Sequence, residues 1–131
     1  MLRIALAASV LSFGVSCASA DVKPTMAEAA VQTTVIESGK ASWYKMGHTT
    51  ANGERYDPDG LTAAHPSLPF NTKVKVRDSN SGREVVVRIN DRGPFHGGRV
   101  IDLSRGAARQ IGLIDKGVTS VEIMAFAEAG S

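Results

Sequence analysis

Two runs of alternating residues on either side of a short polar turn constrain this chain more than any other feature. From Thr72 to Asp78, Val74 and Val76 face one way while Lys73, Lys75 and Arg77 face the other. From Arg83 to Asn90, Val85, Val87 and Ile89 alternate with Glu84, Val86 and Arg88. Between the runs lies Asp78-Ser79-Asn80-Ser81-Gly82, residue types that build turns through local side-chain bonds and positive φ. Period two on both sides of a turn specifies a β-hairpin with one apolar face. A lone hairpin is marginal in water, so further strands must cover that face. Lys40–Tyr44 and Val118–Phe126, the latter with Val121, Ile123 and Ala125 on one side, are the strands at hand. Ser104 is placed to cap a short helix over Arg105–Ile111, with Gly112 just past its end. Met46–Gly60 is dense in Gly, Asn, Asp and Thr and reads as a long structured loop; Leu61–Pro69 is expected to contain a short helical turn that ends before Pro69. The sum is a mainly β fold, a small barrel or sandwich with one or two short helices.

The N-terminus follows a different grammar. Met1-Leu2-Arg3 supplies a positive charge, Ile4–Val15 is almost wholly apolar, and Ala18-Ser19-Ala20 is a small-x-small cleavage site before Asp21. Residues 1–20 are expected to be a secretory signal peptide directing the chain to the periplasm or cell envelope, and the apolar run is too short to span a bilayer. Cys17 offers a second route, lipid anchoring after cleavage behind Ser16, although Gly14 stands where a large aliphatic residue is wanted. As the single cysteine it allows neither an intrachain disulfide nor a cysteine-based zinc site. Residues 21–38 read as a linker, 39–126 as the folded domain and 127–131 as a tail. With 15 basic against 13 acidic side chains there is no basic excess of the kind nucleic-acid binding needs. His48, His65 and His96 lack metal-ligand spacing. The expectation is a monomer with no metal, no organic cofactor and no transmembrane helix in the mature chain.

Three carboxylates stand at the ends of elements. Asp91 closes the second hairpin strand within Ile89-Asn90-Asp91-Arg92-Gly93-Pro94-Phe95, Asp102 follows the apolar Val100-Ile101, and Glu54 sits in a Gly/Asn turn. Rigid elements with acids at their ends can position acid–base chemistry, and this grouping suggests a carbohydrate-active site. Each acid also has a plainer reading. Asp91 can cap its loop by accepting backbone N–H bonds, Asp102 can bond the N–H groups that open the next helix, and Glu54 can be an ordinary exposed loop residue.

Six segments, in order, carry a family resemblance: Gly39-Lys40-Ala41-Ser42-Trp43-Tyr44, Thr50-Ala51-Asn52-Gly53-Glu54, Leu61-Thr62-Ala63-Ala64-His65, Leu68-Pro69-Phe70-Asn71-Thr72-Lys73-Val74, Val87 to Phe95, and Arg99-Val100-Ile101-Asp102-Leu103-Ser104. Together they resemble the RlpA-like (rare lipoprotein A) proteins over about residues 39–126. The resemblance implies a six-stranded double-psi β-barrel with a groove across one side. It implies an endolytic peptidoglycan lytic transglycosylase that cleaves the MurNAc–GlcNAc bond and leaves a 1,6-anhydro-muramyl end, in cell-wall remodelling or division. It ties activity to Asp91 and Glu54, with His65 as the active-site histidine; related expansins and family 45 endoglucanases place an acid where Asp102 stands. Many relatives carry a C-terminal SPOR domain, and nothing after residue 126 resembles one, so septal targeting by that route is not expected.

Breaking a glycosidic bond requires a protonated carboxyl that gives its proton to the leaving oxygen. In a lytic transglycosylase the muramyl C6 hydroxyl then attacks C1 in place of water and must lose its proton to a base. Asp91 is the expected acid, and Glu54 the expected base or transition-state stabiliser. His65 either orients a carboxylate, bonds a sugar hydroxyl, or is a turn histidine before Pro66; Asp102 supports the site. The expected substrate-binding residues are Trp43 and Tyr44 by stacking, Arg92 and Arg99 by pairing with the muramyl lactate carboxylate, and Thr50, Asn52, Asn90 and Phe95. Lys73, Lys75 and Arg77 read as a solvated face. The rival reading is a non-catalytic, expansin-like peptidoglycan-binding module; a weaker third is a hydrolase of the same fold.

Overall fold

The structure is a computed structural model that describes residues 32–45 and 47–127. The signal-peptide and Cys17 readings, most of the 21–38 segment and the tail beyond 127 lie outside the described residues. Six strands and two short helices run in the order β1 (Thr33–Trp43), β2 (Thr62–Ala64), β3 (Lys73–Asp78), β4 (Glu84–Asp91), β5 (Arg99–Leu103), α1 (Arg105–Gln110), α2 (Leu113–Lys116) and β6 (Thr119–Phe126). The strands close into a barrel in the spatial order β1-β5-β2-β4-β3-β6. β1 with β5 and β2 with β4 are parallel pairs; the other four contacts are antiparallel. Among the described residues no helix is long and apolar enough to cross a membrane.

The hairpin forms as its alternation specifies, with Val74 opposite Val87 and Val76 opposite Val85. These four valines, with Ile89, Ile101, Leu103, Val121 and Ile123, fill the barrel and are at most 3% exposed. Each such side chain contributes about 1.5–3 kcal/mol of transfer free energy. The turn is held by Asp78, whose Oδ1 accepts from Asn80 N (2.8 Å) and Ser81 N (3.2 Å). The predicted helix is present too. Ser104 caps α1, its Oγ accepting from Ala107 N at 3.3 Å, and Gly112 (φ 72°) follows the helix. Ala107, Ala108, Ile111 and Leu113 pack the two helices onto the core.

Two expectations are corrected. Leu61–Pro69 is not a helical turn: Thr62–Ala64 is β2, a barrel strand bonded to β4 on one side and β5 on the other. Three residues are too few to show a period, and pairing on both sides overrides the weak strand preference of Ala. The barrel also begins earlier than Gly39. β1 starts at Thr33, and Thr33–Ser38 pairs with β6 from Phe126 back to Glu122. Most of that half faces solvent, so it lacks the apolar alternation that announces a strand.

Candidate active site

Asp91 stands where the β2–β4 ladder slips: Ala63 opposes Ile89, but Ala64 opposes Asp91. Bulges of this kind re-aim side chains at sheet ends. Here Asn90 is buried, while Asp91 is only half-buried. Asp91 Oδ1 accepts from Ala51 N (2.9 Å) and from Arg92 N (2.8 Å). Oδ2 has no hydrogen-bond partner among the described residues. A proton on this carboxyl therefore resides on Oδ2, because Oδ1 faces two donors. The capping reading of Asp91 is thus seen at Oδ1.

The loop that reaches Asp91 also carries Glu54. Thr50 is buried and closes the loop on itself: its N donates to Glu54 O (2.7 Å), its Oγ1 to Asn52 Oδ1 (2.6 Å), and Gly53 N to Thr50 O (2.9 Å). Asn52 N donates to Asn90 O (3.2 Å), seating the loop on the end of β4. Glu54 then meets the outward face of β4. Its two oxygens accept from Arg88 Nη1 and Nη2 at 2.6 and 2.7 Å, a bidentate pair, with Asn52 Nδ2 at 2.6 Å and Asn90 Nδ2 at 3.5 Å. The Arg88 and Asn52 bonds hold the Glu54 carboxyl down at about 2, against an ordinary 4.5. Glu54 is thus an ionised group at any pH where a cell wall is remodelled. So low a value argues against Glu54 as a proton donor or base. A recess of about 350 Å³ lined by Leu61, Lys73, Val86, Val87 and Arg88 opens beside the pair.

Asp102 lies on β5. Its Oδ1 accepts from Ser42 Oγ and from Arg99 Nη1 (3.3 Å), and Arg99 Nη1 also donates to Ser42 Oγ (2.6 Å). The helix-opening alternative for Asp102 does not hold, since Ser104 does that work. Ala64 of β2 is opposite both Asp91 and Asp102. The two acids are therefore two strand spacings apart, about 9–10 Å between Cα atoms. Tyr44 follows β1, and its buried hydroxyl has no hydrogen-bond partner among the described residues. Burial first, then Tyr56 and the Asp91 carboxylate, push its ionisation far above the ordinary phenol range, so it stays a neutral donor.

His65 is 3% exposed and fully engaged. Its Nδ1 accepts from Ser67 N and Leu68 N, both at 3.0 Å, and its Nε2 meets Glu37 Oε2 at 3.2 Å. Of its three expected readings these contacts match the turn histidine, and the carboxylate it meets is Glu37 and not one of the three predicted acids. Arg92 turns from the groove: its Nη1 bonds His65 O (3.2 Å) and Leu68 O (2.7 Å), and its guanidinium lies 4.0 Å from the Phe70 ring centre. Arg99 holds Asp102, and Thr50, Asn52 and Asn90 build the Glu54 loop. Trp43 packs partly against the core, Tyr44 lies with its ring centre 4.6 Å from that of Tyr56, and Phe95 is 69% exposed on the loop after Asp91. Sequence reasoning missed Arg88, Ser42 and Glu37. Arg88 had a signal, since it shares the outward face of β4 with Asn90; Glu37 had none, its contact to His65 being 28 residues distant.

Comparison with known proteins bears on the family and the fold. The lytic transglycolase family matches residues 36–123. A probable endolytic peptidoglycan transglycosylase RlpA of Synechocystis is 57% identical over 99 residues, covering 73% of this chain and 31% of that protein. The endolytic peptidoglycan transglycosylase RlpA of Vibrio cholerae is 54% identical over 90 residues, covering 66% and 34%. The chain thus spans about a third of the length of these curated relatives. Among solved structures, a Streptomyces papain inhibitor matches with a TM-score of 0.56 at 24% identity, over 74% of this chain and 96% of that one. An expansin of Clavibacter michiganensis matches with 0.56 at 20%, over 76% and 52%. At such identities the two structures bear on the fold alone, a double-psi β-barrel. By its sequence and its barrel, the chain belongs to the RlpA-like lytic transglycolase family.

Proposed function

We propose that this domain is an endolytic peptidoglycan lytic transglycosylase, exported to the cell envelope as a monomer and acting on glycan strands in wall remodelling or division. The proton on Asp91 Oδ2 passes to the glycosidic oxygen, the bond from muramyl C1 to that oxygen breaks, and the GlcNAc 4-hydroxyl leaves. The muramyl C6 hydroxyl attacks C1 and gives its proton to the Asp91 carboxylate just formed, closing the 1,6-anhydro ring without consuming water. Glu54, held ionised by Arg88, stabilises the positive charge that develops on the sugar. Asp102, tied to Ser42 and Arg99, borders the same stretch of β2 and orders the far side of the groove. The carrying observation is the split environment of Asp91: one oxygen fixed by two N–H donors, the other without a partner among the described residues.

Digestion of purified peptidoglycan, with fragments read by mass spectrometry, tests this. Anhydro-muramyl ends are expected. Reducing ends would make the protein a hydrolase, and intact glycan with retained binding would make it an expansin-like module. Asp91→Asn keeps the Oδ1 acceptor, so it should fold normally and lose about 1,000-fold or more in rate; full activity in that variant refutes the assignment.

A further inference from the structure

We propose that Glu37 and His65 form a positioning pair that fixes the Asp91–Arg92 segment, the imidazole acting as a neutral clip and not as an acid or base. Both neighbours of Nδ1 are backbone N–H groups, Ser67 N and Leu68 N, which can only donate. Nδ1 must therefore carry a lone pair, and in the neutral ring the proton is on Nε2. That N–H points at Glu37 Oε2, an acceptor. Both nitrogens are thus committed in a ring that is nearly closed to solvent, and neither is open to a sugar hydroxyl. A protonated ring would turn a third donor toward two donors and undo the turn.

What the clip holds is the segment carrying the acid. His65 N donates to Asp91 O (3.1 Å), and Arg92 Nη1 bonds His65 O and Leu68 O, the two ends of the turn whose N–H groups the imidazole gathers. Arg92 N in turn donates to Asp91 Oδ1. The turn at 65–68 therefore grips the peptide that follows the Asp91 side chain and the Arg92 side chain beyond it, and Glu37 on β1 fixes the ring that shapes the turn. Displacing a catalytic group by about 1 Å can cost about 100-fold in rate, so a clip at this distance from the chemistry is consequential.

The activity arm rests on the transglycosylase reading; the spectroscopic arm does not. Nitrogen-15 NMR of the intact protein should show the Nε2–H tautomer of His65 and slow exchange at the Ser67 and Leu68 amides. On soluble glycan strands, Glu37→Ala should lower kcat about 10-fold while KM moves less than about 2-fold, since position and not binding is lost. Glu37→Gln, whose amide oxygen accepts the same bond, should recover most of that loss. His65→Asn, whose Oδ1 can accept from residues two and three further on, should retain far more activity than His65→Ala. An Nδ1–H tautomer overturns the clip. So does His65→Asn that is as inactive as His65→Ala while its amides stay protected, because the ring would then be moving protons. If the wild-type protein makes no anhydro ends, the transglycosylase reading falls; the tautomer, and loss of amide protection in Glu37→Ala, still decide the clip.

Discussion

Replacing Arg88 with Gln removes the two shortest bonds from cation to carboxylate at the site while leaving the β4 backbone and the Asn52 and Asn90 contacts in place. The wild-type Glu54 carboxyl is held at about 2 against an ordinary 4.5, chiefly by Arg88 and then by Asn52. With Arg88 gone and the two amides remaining, its midpoint should rise to about 3–4. The sign of the stability effect follows. A carboxyl whose folded value lies below its unfolded one contributes fully above about 4.5 and loses that contribution as pH falls through about 2. Arg88→Gln should therefore be less stable than wild type at pH 6, with the gap closing as pH approaches 2. Glu54 is 38% exposed, so solvent screening keeps the gap small. Carbon-13 titration of the Glu54 carboxyl reads the midpoint directly, and urea denaturation at pH 6 and pH 3 reads the gap. A wild-type midpoint near 4.5, or one that Arg88→Gln leaves unmoved, refutes the description of Glu54 as a locked anion.

Two further outcomes concern the frame. Asp78 is fully buried, where desolvation favours the neutral acid, yet the Asn80 and Ser81 N–H groups, Lys116 and Thr119 outweigh it and hold the carboxyl below its ordinary 3.8. Asp78→Ala should cost about 1–3 kcal/mol by denaturation at pH 7, since it leaves the Asn80 and Ser81 N–H groups of the turn without their acceptor. The Asp78 contribution should fade as pH drops below 3.8. Ser104 Oγ donates to Gly60 O (2.6 Å) and accepts from Ala107 N, so Ser104→Ala should cost about 2 kcal/mol, seen as a lowered melting temperature.

What was legible in the sequence is what is local. The β3–β4 hairpin, the Ser104 cap and the Gly112 stop are set by residues within a few positions of one another, and each formed as read. β2 was not legible because three residues carry no period, and its strand geometry comes from β4 and β5. The first half of β1 was hidden for a related reason: it shows solvent-facing residues on a strand whose only partner there is β6. The acids were found because they end elements, but their partners were not. Arg88 belongs to a strand face that only the 50–54 loop makes functional, and Glu37 meets His65 through barrel closure, which no local pattern encodes.

The three carboxylates are of one chemical type, and their surroundings divide the labour among them. Glu54 has both oxygens bound by donors, two of them from a guanidinium, so protonating it would break a bidentate pair. Asp102 has one oxygen shared between a hydroxyl and a second guanidinium, an arrangement that orders Ser42 and Arg99 as much as it orders the acid. Asp91 alone has donors that are only backbone N–H groups, with no cation bonded to it, and its second oxygen without a partner among the described residues. The backbone donors orient the Asp91 carboxyl through one oxygen and leave the other open, whereas a bidentate arginine, as at Glu54, occupies both. Arg92 adjoins Asp91 in sequence, yet its guanidinium is drawn off to the carbonyls of His65 and Leu68 and the face of Phe70. The turn shaped by His65 thus does two things at once: it bonds the peptide that follows the Asp91 side chain, and it holds the Arg92 guanidinium on two backbone carbonyls and an aromatic face.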